Sequence, residues 1–335
     1  MRKLATIRKI DILRPIKDAD AIECAIIGGW SVVAQKGLYK EGDLAVYCEV
    51  DSWIPTSIAS FLSKGNEPSE YNGVKGERLR TIRLRKQLSQ GLLLPFSNFD
   101  NSIYWKEGDD VTEVLGILKY EAPVPVELSG VAKGMLPIEF PKTDEERIQN
   151  LTAEWDQLST LTYEVTEKLE GSSMSVGMLN NEFIVCGRNV NFVESKSNSL
   201  WSEARKYDIE TKLKEENMDN LIFQGEIIGH GVRGNYYDIK DRDFYVYAVY
   251  DVQAGLYISP VSRKELCDRL GLKHVPILST DCNLGSLSVD DVLTMSDGKS
   301  HINPNKLREG VVYKQVDGQT HWKAVSNQYL LKTGG

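Results

Sequence analysis

The sequence lacks several features that would assign it to a well-defined class of protein. Its 335 residues contain no run of 18 apolar residues, which excludes an ordinary membrane-spanning helix. The basic N-terminus is not followed by the apolar stretch of a secretory signal, so we expect a cytoplasmic protein. There is no Cys-x-x-Cys pair, and the five cysteines and four histidines are too scattered for a disulfide scaffold or a zinc site.

Two common nucleotide-binding signatures are also missing: the P-loop pattern Gly-x-x-x-x-Gly-Lys-Ser/Thr and the dinucleotide pattern Gly-x-Gly-x-x-Gly. The formal net charge of −8 argues against a non-specific nucleic-acid coat. The charge is uneven, however, because residues 1–17 and 75–86 each carry six basic side chains and one acid. Solvated faces and a polyanion-binding surface both fit this pattern.

The first third of the chain has the pattern of short strands separated by turns. Residues 22–27 and 30–35 flank Gly28-Gly29, a two-residue hairpin signal, and a β-rich run follows at 44–50. We expect an OB-like β-barrel at this size. It would bind nucleic acid or only brace the rest of the fold.

A proline-rich connector at 122–125 precedes the second half, and we expect the domain boundary between residues 120 and 142. We assign 1–125 to the OB-like, nucleic-acid-binding domain and 126–335 to a second domain. A capped helix is predicted from Thr143 onward, with the apolar residues of 148–158 on one face. Alternating elements then indicate an α+β domain on antiparallel sheets, with predicted strands at 162–168, 182–187, 221–228, 244–251 and 310–315.

Charged residues recur at the ends or in the middle of these apolar strands. Lys168 and Glu170 precede Gly171, Glu226 follows Gly225 inside an apolar run, and Glu309 precedes Gly310. A last lysine, Lys323, lies within the otherwise apolar strand that ends the pattern. Buried charges are costly unless a counter-charge or a metal ion pairs with them, so this ordered series is hard to explain as core packing.

The sequence here resembles the covalent nucleotidyltransferases, the superfamily of polynucleotide ligases and RNA capping enzymes. The matching signatures are Lys168-x-Glu170-Gly171, Gly225-Glu226, the aromatic strand 244–247, Glu309-Gly310-Val311-Val312 and Lys323. The resemblance is greatest to the ATP-dependent RNA ligases that seal nicks and carry an OB domain before the catalytic domain, the RNA ligase 5 family. It implies an ATP-grasp-like ligase domain after the OB-like barrel.

The resemblance implies a role for each residue of the site. Lys168 would attack the α-phosphorus of ATP and hold AMP, while Lys323, Glu226 and Glu309 complete the catalytic set. Glu226 and Glu309 would also hold a divalent metal ion, Mn²⁺ or Mg²⁺, which together with Lys323 would lower the pKa of the attacking amine. The nucleotide-binding residues implied are Arg147, Glu167, Glu170, Arg188, Tyr247 and Lys323.

Two positions depart from the family pattern. Val325 stands where a second lysine is usual, so the phosphate role falls to Lys323 alone. Ala248 stands where an acid often follows the stacking aromatic, so no metal ligand is expected from that strand.

The last hairpin provides a geometric prediction. A two-residue loop at Asp317-Gly318 would pair Lys323 with Val312 and turn Glu309 to the other face. We predict instead a three-residue loop with a left-handed Gly318, which pairs Lys323 with Val311 and places Glu309 on the face of Lys323.

The function predicted from this resemblance is sealing of RNA 3′-hydroxyl and 5′-phosphate ends, at nicks in duplexes, through lysyl-AMP and an adenylylated RNA 5′-phosphate. A monomer with no membrane partner is expected. One alternative is another covalent nucleotidyltransferase, a DNA ligase or capping enzyme, although these usually carry an OB domain after the last motif. The other is a non-catalytic RNA-binding protein on a decayed ligase fold.

Overall fold

The computed structural model describes residues 3–96, 105–121 and 131–334. The proline-rich connector at 122–125, and with it the expected boundary at residue 125, lies outside the described residues. The chain divides into two compact units, one formed by Met1–Ala122 with Leu330–Gly335 and the other by Pro123–Tyr329. The end of the chain therefore groups with the N-terminal unit, which the sequence pattern did not indicate.

In the described part of the N-terminal unit, short strands are joined by the helical turn α1 (Thr56–Ala59) and a 3₁₀ turn at Ser60–Ser63. Its strands are β1 (Ala5–Lys9), β2 (Ile12–Pro15), β3 (Ile22–Ile27), β4 (Trp30–Gln35), β5 (Leu44–Cys48), β6 (Ser52–Pro55), β7 (Ser69–Tyr71), β8 (Val74–Arg78), β9 (Thr81–Leu84), β10 (Gln87–Gln90), β11 (Leu92–Pro95) and β12 (Leu118–Lys119).

These strands pair in the orders β2-β3-β4, β1-β5-β11, β9-β10 and β12-β6-β8-β7. The predicted hairpin is confirmed, since β3 and β4 have the expected bounds and Gly28 takes the left-handed conformation of its turn. Apolar clusters around Ile7 and Trp30 fill the unit. Within the described residues the strands do not close into a ring.

The second unit combines longer strands with helices. Its helices are α2 (Trp155–Leu158), α3 (Ser199–Lys206), α4 (Ile209–Glu215), α5 (Pro260–Arg269), α6 (Val289–Ser296) and α7 (Asn327–Thr333), the last of which runs into Leu330–Gly335. Its strands are β13 (Ala132–Met135), β14 (Glu146–Arg147), β15 (Thr162–Lys168), β16 (Ser172–Leu179), β17 (Glu182–Cys186), β18 (Val190–Phe192), β19 (Leu221–Ile228), β20 (Asp243–Asp251), β21 (Leu256–Tyr257), β22 (Lys273–His274), β23 (Ile277–Asn283), β24 (Gly310–Gln315) and β25 (His321–Val325).

Two sheets organise this unit. The larger has the order β13-β18-β17-β16-β19-β20-β21, with β22 beside β20, and the smaller has the order β14-β25-β24-β15-β23. Pairing is antiparallel except at β14–β25 and β20–β22. The predicted α+β architecture on antiparallel sheets is therefore confirmed. No helix among the described residues is both long and apolar enough to cross a lipid bilayer.

The helix predicted from Thr143 is wrong. Glu146 and Arg147 instead form β14, which pairs in parallel with Trp322 and Lys323 of β25. Single 3₁₀ turns at 148–150 and 152–154 follow, and then the four-residue α2. The apolar side chains of 148–158 still enter one core cluster, so the pattern indicated the buried face correctly but not the backbone, which a distant strand determines.

The small sheet has two chemically different faces, because strand side chains alternate. One face buries Tyr163, Val165, Val311, Tyr313 and Trp322 against α6, and we call it the core face. The opposite face carries Glu164, Lys168, Lys314 and Lys323, and we call it the site face.

The register predicted for the β24–β25 hairpin is wrong. Lys323 pairs with Val312, not Val311, and Gly318 is not left-handed. The backbone N–H of Gln315 donates to the carbonyl of Thr320 at 2.8 Å, which closes a loop of four residues, 316–319. The strands on either side pair as they would if a two-residue turn at Asp317-Gly318 joined them. Glu309 lies just before β24, where strand alternation no longer determines the direction of its side chain.

Candidate active site

Lys168 and Glu309 form the centre of the candidate site. Lys168 ends β15 opposite Gly310 of β24, and its Nζ donates a hydrogen bond to Oε1 of Glu309 at 2.7 Å. A Cβ atom at Gly310 would lie 2.3 Å from the carbonyl oxygen of Ala324, so only glycine allows β24 and β25 to approach here. The Glu-Gly sequence therefore places a carboxylate beside the lysine at the start of a tightly paired strand.

Glu226 brings a second carboxylate from the large sheet. On β19, Glu226 pairs through its backbone with Ser173 of β16 on one side and Tyr245 of β20 on the other. Gly225, the preceding residue, leaves room for the Phe244 ring, because a Cβ atom at Gly225 would lie only 2.5 Å from that ring. Burial raises the pKa of Glu226 to about 8. The positive charge of Lys168 opposes this shift and the negative charge of Glu309 adds to it.

The protein's own charges keep Lys168 protonated. Burial lowers the pKa of Lys168, but the negative charges of Glu309, Glu226 and Glu170 outweigh burial, and the net pKa is raised. Burial also raises the pKa of Glu309. The amine therefore needs an additional positive charge near it, or loss of its proton to a neighbour, before it can act as a nucleophile.

Glu170 is held by residues that the sequence pattern did not indicate. It accepts hydrogen bonds from the hydroxyl of Tyr329 at 2.7 Å and from Nη1 of Arg233 at 3.3 Å, and its backbone N–H donates to the hydroxyl of Tyr237 at 2.8 Å. The charges of Glu170 and Glu226 both raise the pKa of Arg233, against its burial. None of these three partners lies in a motif, so spacing alone could not have identified them.

Lys323 and Arg147 occupy one row across the small sheet. Arg147 pairs with Lys323, and Lys323 pairs with Val312, so the two basic side chains leave the sheet on its site face. Arg147 is buried, with 5% of its surface exposed. The positive charge of Lys323 lowers the pKa of Glu309, whereas burial raises it. The structure thus brings both residues to the face of Lys168.

Tyr247 lies at an irregularity in β20. Gln224 pairs with Ala248 and Gly225 pairs with Val246, so Tyr247 is the extra residue of a β-bulge. Nζ of Lys314 donates to the Tyr247 carbonyl oxygen at 2.6 Å and lies 5.4 Å from the centre of its ring. Burial lowers the pKa of Lys314 to about 7. The half-buried Tyr247 lines a cavity together with Gln224 of the large sheet and Lys314 of the small sheet. Lys314, which the sequence pattern did not indicate, holds the Tyr247 backbone.

Arg188 and Glu167 lie outside the immediate cluster. Arg188, between β17 and β18, forms an ion pair with Asp144. Glu167 alternates to the face of β15 opposite Lys168, and its Oε2 accepts a hydrogen bond from the His301 backbone N–H at 2.8 Å. Oε1 of Glu167 is buried without a hydrogen-bond partner among the described residues.

The donor set around Lys168 fits a divalent cation. Glu170, Glu226 and Glu309 lie near three basic side chains, Lys168, Arg233 and Lys323, and burial raises the pKa of Glu226 and of Glu309. Oε2 of Glu309 is buried and has no hydrogen-bond partner in the described part of the chain. Carboxylate oxygens are the ligands that Mg²⁺ and Mn²⁺ prefer. No preformed group of three or more ligating side chains occurs among the described residues, so the fit concerns two carboxylates.

Comparison with known proteins agrees with this site. A family model described as RNA ligase matches residues 161–332, and one described as an OB-fold domain matches residues 4–96. No curated protein sequence matched the chain. Solved structures of an RNA ligase from Naegleria gruberi are 43% identical, and each superposition covers 98% of both chains. The TM-scores are 0.93 with AMP and Mn, 0.92 with ATP and Mn, and 0.93 with PPi.

An OB fold followed by an α+β domain with a strand-end lysine among carboxylates defines a ligase of the nucleotidyltransferase superfamily. The chain belongs to the RNA ligase family. The resemblance inferred from the motifs is thereby confirmed.

Proposed function

We propose that this protein is an ATP-dependent RNA ligase that seals 3′-hydroxyl and 5′-phosphate ends at nicks in duplexes. The single observation that carries the proposal is the placement of Lys168, a strand-end amine in contact with Glu309 and within electrostatic reach of Glu226 and Glu170. The solved N. gruberi RNA ligase structures with ATP and Mn support ATP and a divalent metal ion as the cofactors.

In the first step, Nζ of Lys168 forms a bond to the α-phosphorus of ATP, and the bond from that phosphorus to the bridging oxygen of pyrophosphate breaks. The amine must lose a proton to do this. Oε1 of Glu309, which accepts a hydrogen bond from this amine at 2.7 Å, is the acceptor for that proton. Lys323, on the same face, would neutralise charge on the α-phosphate, as expected of electrostatic stabilisation.

Glu226 and Glu309 are the residues that would hold the metal ion. When bound, Mn²⁺ or Mg²⁺ supplies positive charge that stabilises the α-phosphate and lowers the pKa of the lysine. The Oε2 of Glu309, which has no hydrogen-bond partner among the described residues, and the pKa of Glu226, which burial raises, support this placement, because a bound cation would give the first a partner and favour the charged form of the second.

The remaining predicted residues would bind the nucleotide. Tyr247 offers a half-buried ring for stacking on adenine, and the free Oε1 of Glu167 is an acceptor on the far side of β15. Glu170 and Arg188 would contact the ribose. Arg147, in the row of Lys323, would contact phosphates. These roles follow the resemblance; Arg147 shares the face of Lys168, whereas Glu167 lies on the opposite face of β15 and Arg188 pairs with Asp144.

In the second step the AMP would pass to an RNA 5′-phosphate, and in the third a 3′-hydroxyl would displace it. We assign residues 1–125 to nucleic-acid binding and 126–335 to catalysis, in a protein that acts as a monomer. The five cysteines are free thiols, four of them buried, which fits the cytoplasm.

The test is a sealing assay on duplexes with one nick, carrying RNA or DNA on either side of the break, with ATP and Mn²⁺ or Mg²⁺. We expect sealing that requires RNA at the 3′-hydroxyl side and is lost in Lys168→Ala. Preferential sealing of all-DNA nicks would favour a DNA ligase. Binding of RNA without covalent labelling by α-labelled ATP, in protein that carries no AMP beforehand, would favour a non-catalytic RNA-binding protein.

A further inference from the structure

A two-stranded hairpin in the N-terminal unit combines exposure with positive charge. We call residues 80–90, which contain β9 and β10, the basic ribbon. β9 and β10 form a sheet by themselves, with Leu84 opposite Gln87 next to the turn. β10 is anchored to the unit, because Oγ of the buried Ser89 accepts a hydrogen bond from the Val33 N–H at 2.9 Å. β9 and the turn are left exposed.

The ribbon carries four basic residues and no acid. All four, Arg80, Arg83, Arg85 and Lys86, are exposed, and none forms an ion pair within the described part of the chain. Basic residues just before the ribbon are neutralised: Lys75 pairs with Glu67 at 2.7 Å, and Arg78 pairs with Asp51 at 2.6 Å. The protein has a net charge of −8, so acidic side chains are available to pair with these four cations. Because none of the described acids does so, the positive charge of the ribbon indicates an anionic binding partner.

The turn of the ribbon supports this conclusion independently. Arg85 and Lys86 are its two central residues, with φ angles of 46° and 67°. A two-residue turn with both angles positive strongly prefers Asn-Gly, and long side chains are unfavourable there. The sequence therefore places two cations at the tip against the local backbone preference. Such departures are expected at binding sites.

We propose that the basic ribbon binds the sugar-phosphate backbone of duplex RNA. This rests on the proposed function, because a nicked duplex is the RNA which that function supplies. Proteins read duplex RNA mainly through phosphate and 2′-hydroxyl contacts, for which exposed arginines on a narrow hairpin are suited. Ile82 and Leu84, 45% and 39% exposed on either side of Arg83, offer apolar contact to the sugars between phosphates.

The test uses the full-length protein with the double substitution R85N/K86G. Asn-Gly suits the turn, so the melting temperature should be unchanged or higher, and weaker RNA binding in this variant cannot be attributed to unfolding. Binding to a nicked RNA duplex should weaken about tenfold, and the slope of log Kd against log salt should fall by about 1 to 2, since two phosphate contacts are lost.

Lys86→Gly and Lys64→Gly are the matched single variants. Both remove one exposed lysine with a positive φ, 67° and 52°, from the same unit, but only Lys86 lies on the ribbon. Weaker RNA binding in Lys86→Gly alone supports the proposal. Equal binding and equal salt slopes for the parent and R85N/K86G overturn it, as does an equal loss in Lys64→Gly.

Labelling by α-labelled ATP without RNA separates this proposal from the proposed function. The ribbon variants should label like the parent, because no RNA takes part in that step. If the parent does not label but R85N/K86G still weakens duplex binding, the proposed function fails and the ribbon assignment stands. If the parent labels but binds the duplex no more tightly than R85N/K86G, the ribbon assignment alone fails.

Discussion

The two faces of the small sheet in the second unit carry side chains of different chemistry. Trp322 and Lys323 are neighbours on β25, yet Trp322 stacks on Tyr313 with ring centres 4.0 Å apart, while Lys323 acts on the charge of Glu309. The core face stabilises the sheet by packing, and the site face carries Lys168 and Lys323, both of which interact with Glu309. One set of strands thus supplies both rigidity and reactivity.

The largest effect should follow from Lys168→Arg. Arginine keeps the positive charge beside Glu309, so the fold should persist, but its guanidinium remains protonated and cannot attack phosphorus. We expect complete loss of covalent labelling by α-labelled ATP, with a melting temperature close to that of the parent. Labelling of this variant at the parent rate would show that another residue is the nucleophile.

A substitution on the core face should separate stability from chemistry. Trp322→Ala removes a side chain with no exposed surface, and the free energy of unfolding should fall by about 3 to 5 kcal/mol. Lys323→Met, one residue away, should leave that free energy nearly unchanged and abolish most labelling. Urea unfolding and labelling of both variants test the contrast, which fails if the two variants lose the same property.

Glu309→Gln should weaken the use of metal. The amide keeps the size of the side chain but loses the charge that the proposed metal ion would contact. We expect labelling to require about 10-fold to 100-fold more Mn²⁺ than in the parent. Glu182→Gln, a control at the exposed first residue of β17, should leave the Mn²⁺ dependence unchanged. An unchanged dependence in Glu309→Gln would remove Glu309 from the metal site.

The smallest effect concerns pH. Glu164 of the site face pairs with buried Arg263, whose Nε donates to Nε2 of His274 at 2.9 Å. Burial, with the charge of Arg263, lowers the pKa of His274 from 6.5 to about 3. The unfolded chain therefore binds more protons between these values, and stability falls as the pH drops through this window, by at most about 1.4 kcal/mol per pH unit.

In His274→Gln, the amide oxygen of glutamine can accept the hydrogen bond from Arg263 and does not titrate. Urea unfolding between pH 4.5 and about 6.5 should therefore show a shallower loss of stability in this variant than in the parent, because the unfolded-state histidine no longer takes up a proton there. Parallel curves for the two proteins would mean that His274 contributes nothing to the acid sensitivity.

Much of the fold was predictable where neighbouring residues determine the structure. β15, β19 and β24 have the predicted bounds, because alternation and glycine placement are local signals. The segment at 146–147 was not predictable, since its conformation depends on pairing with β25 at the far end of the chain. The hairpin register was missed because turn composition alone does not determine loop length.

The site shows the same division. Glu309 and Glu226 were predictable because a charge beside glycine in an apolar strand is unusual and requires an explanation. Tyr329 and Arg233 were not, because their contacts with Glu170 span 159 and 63 residues of sequence and no spacing rule connects them. Lys314 was hidden for a different reason: a lysine in a strand ordinarily faces solvent, and only the bulge at Tyr247 gives it a buried partner.

The central claim is that Lys168 carries the nucleotide. The most direct measurement is peptide mapping by mass spectrometry after incubation of the full-length protein with ATP and Mn²⁺ but no RNA. We predict AMP on the peptide that contains Lys168, and no AMP anywhere in Lys168→Arg. AMP on Lys323 or Lys314 instead, or AMP retained in Lys168→Arg, would contradict the account.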